Sequence, residues 1–347
     1  MEGMQSRTRD LDRSDLAARH LDFTEIPLID IADLYAEDPA ARRRVADEIG
    51  KACETVGFLY VKGHPVPLSS VEGTYDALAK FFALPDAEKL RYDIHAQARH
   101  RGYVPLGGLN ADPHQPGVDL QEGFEIGLEL PEDDPDYLSG NMMHGPNVWP
   151  ETPADFQAVV YDYFDRVHML GRDLFRGFAL ALDLPEHWFE DKIGKPMTQL
   201  RAIHYPPQDP VVRNPKEIGI GAHSDYECFT ILAANRPGLQ VVNRSGQWID
   251  APPIEGTFII NIGDMMERWT NGRFVSTVHR VINTTGAERY SMAFFFGADY
   301  ETIVECLPTC CGPDNPPRYP PVKAGDWTTE NIKAAYTYKP STEARSA

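Results

Sequence analysis

The sequence predicts an α+β protein in which a helical N-terminal region supports a mainly β core, with the strands closing into an antiparallel sandwich or barrel. Three observations carry this. Apolar residues recur at helical spacing in three stretches of the first half. From Leu200 onward the chain breaks into short β-type runs separated by turn residues. The 347 residues, 42% of them hydrophobic, suffice for one large domain or two modest ones, and they show neither an internal repeat nor a low-complexity tract.

Residues 1–24 are rich in charge and lack an apolar period, so they read as a flexible N-terminal arm, with order expected to begin near "IPLIDIADL". Asp38 and Pro39 make a helix start, cap then first-turn proline, and Val45, Ile49, Cys53 and Val56 follow at helical spacing. Gly57 ends that helix and "FLYVKG" is a short strand. A second helix carries Leu68, Val71, Tyr75, Leu78 and Phe82. A third runs from about Pro153 to Leu182 with Phe156, Val160, Tyr163, Val167, Leu170 and Leu174. Between them "RGYVPLGGLNADPHQPGVDLQEG" reads as a loop, because Gly and Pro punctuate it. The β-type runs are "LRAIHY", "IGIGAHSD", "CFTILAA", "LQVVN", "QWIDA", "TFIINIG", "FVSTVHRVIN", "RYSMAFFFG" and "TIVEC".

A net charge of -19 disfavours nucleic acid and anionic membrane, whose phosphates the long-range field repels, and leaves a small molecule as the expected partner. No stretch approaches the roughly 18 apolar residues of a membrane span, and the first residues lack the apolar run of a secretory signal, so the setting is expected to be cytoplasmic. The five cysteines are odd in number, unevenly spaced and without a C-x-x-C pair, which suits reduced thiols. Oligomeric state is not encoded in any of these features.

The chemistry-bearing residues lie in the second half. In a strand, residues i and i+2 point the same way, so His223 and Asp225 of "GAHSDYECFTIL" can face inward together. His279 follows in "STVHRVIN", where alternation of Val275, Thr277, His279 and Val281 puts it on an inward face. Two imidazoles and one carboxylate leave coordination positions open and suit non-heme Fe(II), whereas a structural zinc site is closed by four protein ligands. On "RYSMAFFF", period two places Arg289, Ser291, Ala293 and Phe295 on one face. A guanidinium beside a hydroxyl is suited to gripping a carboxylate. A lone H-x-D is weak, but with the distal His and the R-x-S in order the set becomes specific.

With these residues in place, the sequence resembles the isopenicillin N synthase-like branch of the Fe(II)/2-oxoglutarate-dependent dioxygenases, whose signature is H-x-D, a distal His some fifty residues on, and R-x-S about ten later. The resemblance extends from about Ile26 through "ETVGFLYVKGHPV", "FFALPDAEK", "RGYVPLGG", "GPNVWP", "LRAIHYPP", "GTFIINIGDMMERWTNGRFVSTVHRV" and "NPPRYPPV". It implies a double-stranded β-helix (jelly-roll) with supporting helices. The divisions are an N-terminal dioxygenase region over 25–150, a helix plus oxygenase core over 151–307, and a C-terminal segment over 308–347 near the active-site mouth. It also implies an oxygenase of secondary metabolism that hydroxylates, desaturates or cyclises a small metabolite. The cofactors are Fe(II), with 2-oxoglutarate as co-substrate, O2, and ascorbate as an auxiliary reductant. By the same likeness Arg289 and Ser291 meet the distal carboxylate of 2-oxoglutarate, Tyr205 hydrogen-bonds it, and Tyr103 and Phe295 line the substrate cavity. No catalytic residue is expected beyond the metal centre.

Several readings stay open at this point. Arg201 shares a face with Ile203 and Tyr205, and is either a grip for an acidic substrate or a structural ion pair. Isopenicillin N synthase and 1-aminocyclopropane-1-carboxylate oxidase keep R-x-S without using 2-oxoglutarate, ethylene-forming relatives fragment it, and a metal-binding sensor would not turn over. Most remaining histidines read as solvated or structural, with His204 facing away from Tyr205, and the Cys310–Cys311 pair as incidental.

Overall fold

The structure is a computed structural model that describes residues 26–109, 111–112, 118–208, 217–243, 245–283 and 285–335; the expected arm at 1–24 lies outside them. The principal helices are α1 (Pro39–Thr55), α2 (Leu68–Phe82), α3 (Phe156–Ala181), α4 (Asp264–Trp269) and α5 (Ala324–Ala335). Asp38 caps α1 by accepting from the Ala40 N–H at 2.9 Å, with Pro39 in the first turn. Gly57 follows at a φ of +73°, and a Cβ there would collide with the Val275 carbonyl oxygen.

The six apolar positions expected on α3 are all buried, and α1 buries Val45, Ile49 and Cys53. The stripe of α2 is rotated from the expectation: Leu68 is 43% exposed, while Thr74, Ala77 and Phe81 turn inward beside Leu78 and Phe82. Phe81 explains the roll, since its ring meets Phe124 at 4.9 Å and Phe156 at 5.2 Å, tying helix to helix and helix to sheet.

The strands of the core are β1 (Leu28–Asp30), β2 (Phe58–Lys62), β3 (Gly102–Val104), β4 (Glu122–Gly127), β5 (Gln199–Tyr205) and β6 (Ile220–His223). They continue with β7 (Phe229–Ala234), β8 (Leu239–Val242), β9 (Trp248–Asp250), β10 (Phe258–Ile262), β11 (His279–Val281) and β12 (Arg289–Phe296). Eight form one sheet in the order β1-β2-β10-β7-β12-β5-β4-β3, and four form a second in the order β9-β8-β11-β6. Pairing is antiparallel apart from β1 with β2. The sheets face each other across a cavity, as a jelly-roll. All seven residues of β5 and all five of β10 are buried, because α3 and its neighbours cover the outer face of the large sheet.

Three expectations need correction. The stretch taken as a loop holds β3 and the start of β4, which extend the large sheet beside β5. Further along β4 a glycine serves close approach: a Cβ on Gly127 would collide with the Arg101 guanidinium. In "FVSTVHRVIN" only His279–Val281 is strand, because Val275 N–H bonds Cys53 O and Ser276 N–H bonds the Glu267 carboxylate, drawing the backbone away from the ladder. "TIVEC" keeps a two-residue strand, Ile303–Val304, that pairs outside the sandwich.

Candidate metal centre and its cavity

Strand β6 ends at His223, and Asp225 lies two residues beyond it, so the pair does not share one strand as expected; the turn after β6 aims the carboxylate instead. His279 opens β11 directly across from His223, with the ring centroids 4.3 Å apart and a register shift before Val281. The Nδ1 atoms of His223 and His279 lie 2.7 Å from Gly221 O and 3.2 Å from Thr277 O. Those carbonyls require an Nδ1–H on each ring, which leaves each Nε2 lone pair available. Both Nε2 atoms face Asp225 Oδ1, at 3.7 and 3.6 Å, and one donor atom from each residue lies within 4.8 Å of the others.

The carboxylate is fixed by neighbours from the large sheet. Asp225 Oδ2 accepts from Thr230 Oγ1 at 2.5 Å and from Asn261 Nδ2 at 2.7 Å, leaving Oδ1 to point at the imidazoles. Asp264 braces both ligand-bearing segments, accepting from Ser224 Oγ at 3.1 Å and Ser276 Oγ at 2.6 Å while its N–H donates to Asp225 O at 2.8 Å. Burial works to raise the Asp225 carboxyl, but the His279 and His223 imidazoles and the two hydrogen bonds hold it below its ordinary value. Burial, with His279 close by, pushes His223 down to about 4, which keeps it the neutral imidazole that a metal needs.

The facing wall is built by β12 and β5, whose register sets Arg289 opposite Tyr205, Ser291 opposite Ile203, Ala293 opposite Arg201 and Phe295 opposite Gln199. All eight border the cavity, so the period-two reading of both strands holds. Arg289 and Ser291 are each 1% exposed, and Arg289 Nη1 and Ser291 Oγ have no hydrogen-bond partner among the described residues. Arg289 Nε donates to Arg236 O at 3.1 Å, and its guanidinium lies 4.6 Å over the Tyr205 ring, so the group is held in place with one end free.

The other end of the cavity holds residues that sequence reasoning placed differently or missed. Arg201 borders it but is ion-paired with the buried Glu125 at 3.2 Å and donates to Gln121 Oε1 at 3.1 Å, which favours the structural side of the two readings. Tyr103 does not border the cavity: its hydroxyl donates to Glu122 at 2.5 Å and its ring packs on Phe81 beneath the opposite face of the sheet. Its side of the sheet follows from the pairing of β3 with β4, which Gly-rich sequence concealed. His204 faces away from Tyr205, bonded to Glu122 at 2.8 Å and stacked between Phe82 and Tyr290. His100, Tyr226 and Glu227 line the cavity unanticipated, and Ile332 and Ala335 of α5 close part of it. Burial first, then the Asp225 charge, pushes the Glu227 carboxyl up to about 8.

Comparison with known proteins agrees with this geometry. Residues 196–298 match the family described as the 2OG-Fe(II) oxygenase superfamily, and residues 26–152 match the N-terminal family of the non-haem dioxygenase in morphine synthesis. The chain is similar to the 2-oxoglutarate-Fe(II) type oxidoreductase hxnY of Emericella nidulans, with 36% identity over 318 residues, 90% of this chain and 91% of that protein. It is also similar to homoarginine-6-hydroxylase 2-ODD-C23 of Glycine max, with 38% identity covering 83% of this chain and 90% of the other. The crystal structure of a full-length Neurospora crassa protein in complex with alpha-KG superposes with a TM-score of 0.80 at 30% identity, covering 89% of this chain and 96% of that one.

Proposed function

The chain belongs to the 2OG-Fe(II) oxygenase superfamily, and from that membership we propose a role for each residue of the cavity. The protein is an Fe(II)- and 2-oxoglutarate-dependent oxygenase that oxidises a small molecule. Bound together, Fe(II) and 2-oxoglutarate couple the reduction of O2 to oxidation of an unactivated C–H bond, with release of succinate and CO2. His223 Nε2, His279 Nε2 and Asp225 Oδ1 hold the iron, a donor set of two neutral nitrogens and one carboxylate oxygen that suits Fe(II). Thr230 and Asn261 keep the second carboxylate oxygen occupied, so Asp225 offers one atom to the metal.

The observation that carries the co-substrate assignment is the pair of buried, unpartnered donors, Arg289 Nη1 and Ser291 Oγ, on the wall facing the metal ligands. Such donors are costly unless an acceptor arrives, and a terminal carboxylate satisfies both. Tyr205 stacks under the guanidinium and sets its plane. Ile203, Leu232 and Ala293 line the middle of the cavity and exclude water, and Phe295 walls the end given to substrate. We infer a cytoplasmic enzyme of secondary metabolism; all five cysteines are free thiols, which suits a reducing compartment, and no helix among the described residues is long and apolar enough to cross a membrane.

Adding 2-oxoglutarate anaerobically to the Fe(II)-loaded protein is expected to give a visible charge-transfer band, and Arg289→Ala is expected to abolish it at the same concentration. A wild-type protein without the band would remove the co-substrate role from this cavity.

A further inference from the structure

One buried carboxyl in the cavity has no basic group beside it once the proposed contents are in place. The charges of the iron and Arg289 are offset by Asp225 and the two carboxylates of 2-oxoglutarate. Arg201 is already matched by Glu125 at 3.2 Å, so gripping an anionic substrate would mean breaking that buried ion pair. Glu227 remains. The residue borders the same cavity and is 4% exposed. Its carboxyl meets the N–H groups of Tyr226 and its own residue, has the Asp225 and Asp264 carboxylates nearby, and no Lys, Arg or His among the described residues pairs with it.

The backbone fixes which end of the cavity Glu227 occupies. Cys228 N–H bonds Phe296 O at 3.0 Å, which seats Glu227 beside the Phe295 end of β12. Arg289 begins the same strand, six residues earlier than Phe295 and roughly 20 Å away at strand rise. Glu227 therefore stands near Phe295 and Tyr226, at the end of β12 away from Arg289.

We propose that Glu227 is the substrate-recognition carboxyl, and that the substrate carries a cationic N–H group, an amine, amidine or guanidinium, within reach of the carbon that is oxidised. This rests on the iron and 2-oxoglutarate assignments above. A buried carboxylate gains most from a partner that is both charged and a hydrogen-bond donor, and the Tyr226 and Phe295 rings beside it are surfaces on which such a cation can lie.

The test uses the Fe(II)- and 2-oxoglutarate-loaded protein, kept anaerobic, and near-isosteric probes that exchange a guanidinium for a neutral urea: arginine against citrulline, and agmatine against N-carbamoylputrescine. Calorimetric titration is expected to show at least one cation binding tenfold or more tighter than its neutral counterpart, and Glu227→Gln is expected to erase that preference. The wild-type comparison stands by itself should E227Q fail to fold. If no cation is preferred, or if a folded E227Q keeps the preference, the proposal is overturned. Absence of the 2-oxoglutarate band before any probe is added would instead count against the parent assignment.

Discussion

At the scale of single residues, the centre is defined as much by what holds Asp225 as by Asp225 itself. Thr230 and Asn261 fill Oδ2, so removing one lets the carboxylate rotate while every proposed ligand remains. Thr230→Val is expected to weaken Fe(II) binding about 10- to 100-fold, measured by anaerobic metal titration, as loss of a ligand's own support does elsewhere. On the other wall, Ser291→Ala removes one of the two donors proposed for the co-substrate. It is expected to raise the apparent KM for 2-oxoglutarate about tenfold, with kcat at saturation much less affected, in succinate-release kinetics. The proposed metal ligands were legible from side-chain chemistry and spacing, and the R-x-S pair from strand parity as well. Thr230 and Asn261 were not, since who meets Oδ2 depends on where β7 and β10 lie in space, although one Asn inside the otherwise apolar "FIINI" was a usable signal.

At the scale of elements, Glu122 on β4 gathers three neighbours: Lys89 at 2.7 Å, Tyr103 of β3 at 2.5 Å and His204 of β5 at 2.8 Å. Tyr103→Phe is expected to cost about 1 kcal/mol of stability and leave substrate KM unchanged, a pairing that separates its place under the sheet from the cavity role first expected of it. Burial works to raise the Glu122 carboxyl, but the hydrogen bonds from His204, Lys89 and Tyr103 outweigh it and hold it below its ordinary value. A carboxyl lower in the folded than the unfolded chain stabilises fully above the unfolded value, roughly 4.3, and loses that contribution as pH falls through the folded one. Glu122→Gln is accordingly expected to cost about 3 kcal/mol near neutrality and to flatten the acid limb of denaturant-measured stability, because it takes the buried carboxylate from Lys89 and leaves that ammonium the exposed Asp86 at 3.1 Å as its acid. The helices α1 and α3 were legible from periodicity, whereas β3 and the start of β4 hid in a stretch whose Gly and Pro content reads as loop.

At the scale of the whole molecule, the proposed iron ligands sit on or beside the small sheet, and the carboxylate clamp sits on the large one. Metal and 2-oxoglutarate, held as proposed, would together bridge the two sheets. A redox-inert divalent metal plus 2-oxoglutarate, each at about 100 times its Kd, is expected to add about 2.7 kcal/mol per ligand and to raise Tm by several degrees more than either alone. Scanning calorimetry with and without chelator checks this, and equal shifts for one ligand and for both would speak against the bridge. The length of β12 has a further consequence, for descent rather than for turnover. Because Arg289 and Phe295 occupy opposite ends of one continuous strand, mutations around Phe295, Gln199 and Glu227 reach the clamp only through a rigid ladder. A lineage carrying this scaffold is free to exchange one substrate for another by small steps at that end while Arg289 and Ser291 keep their places.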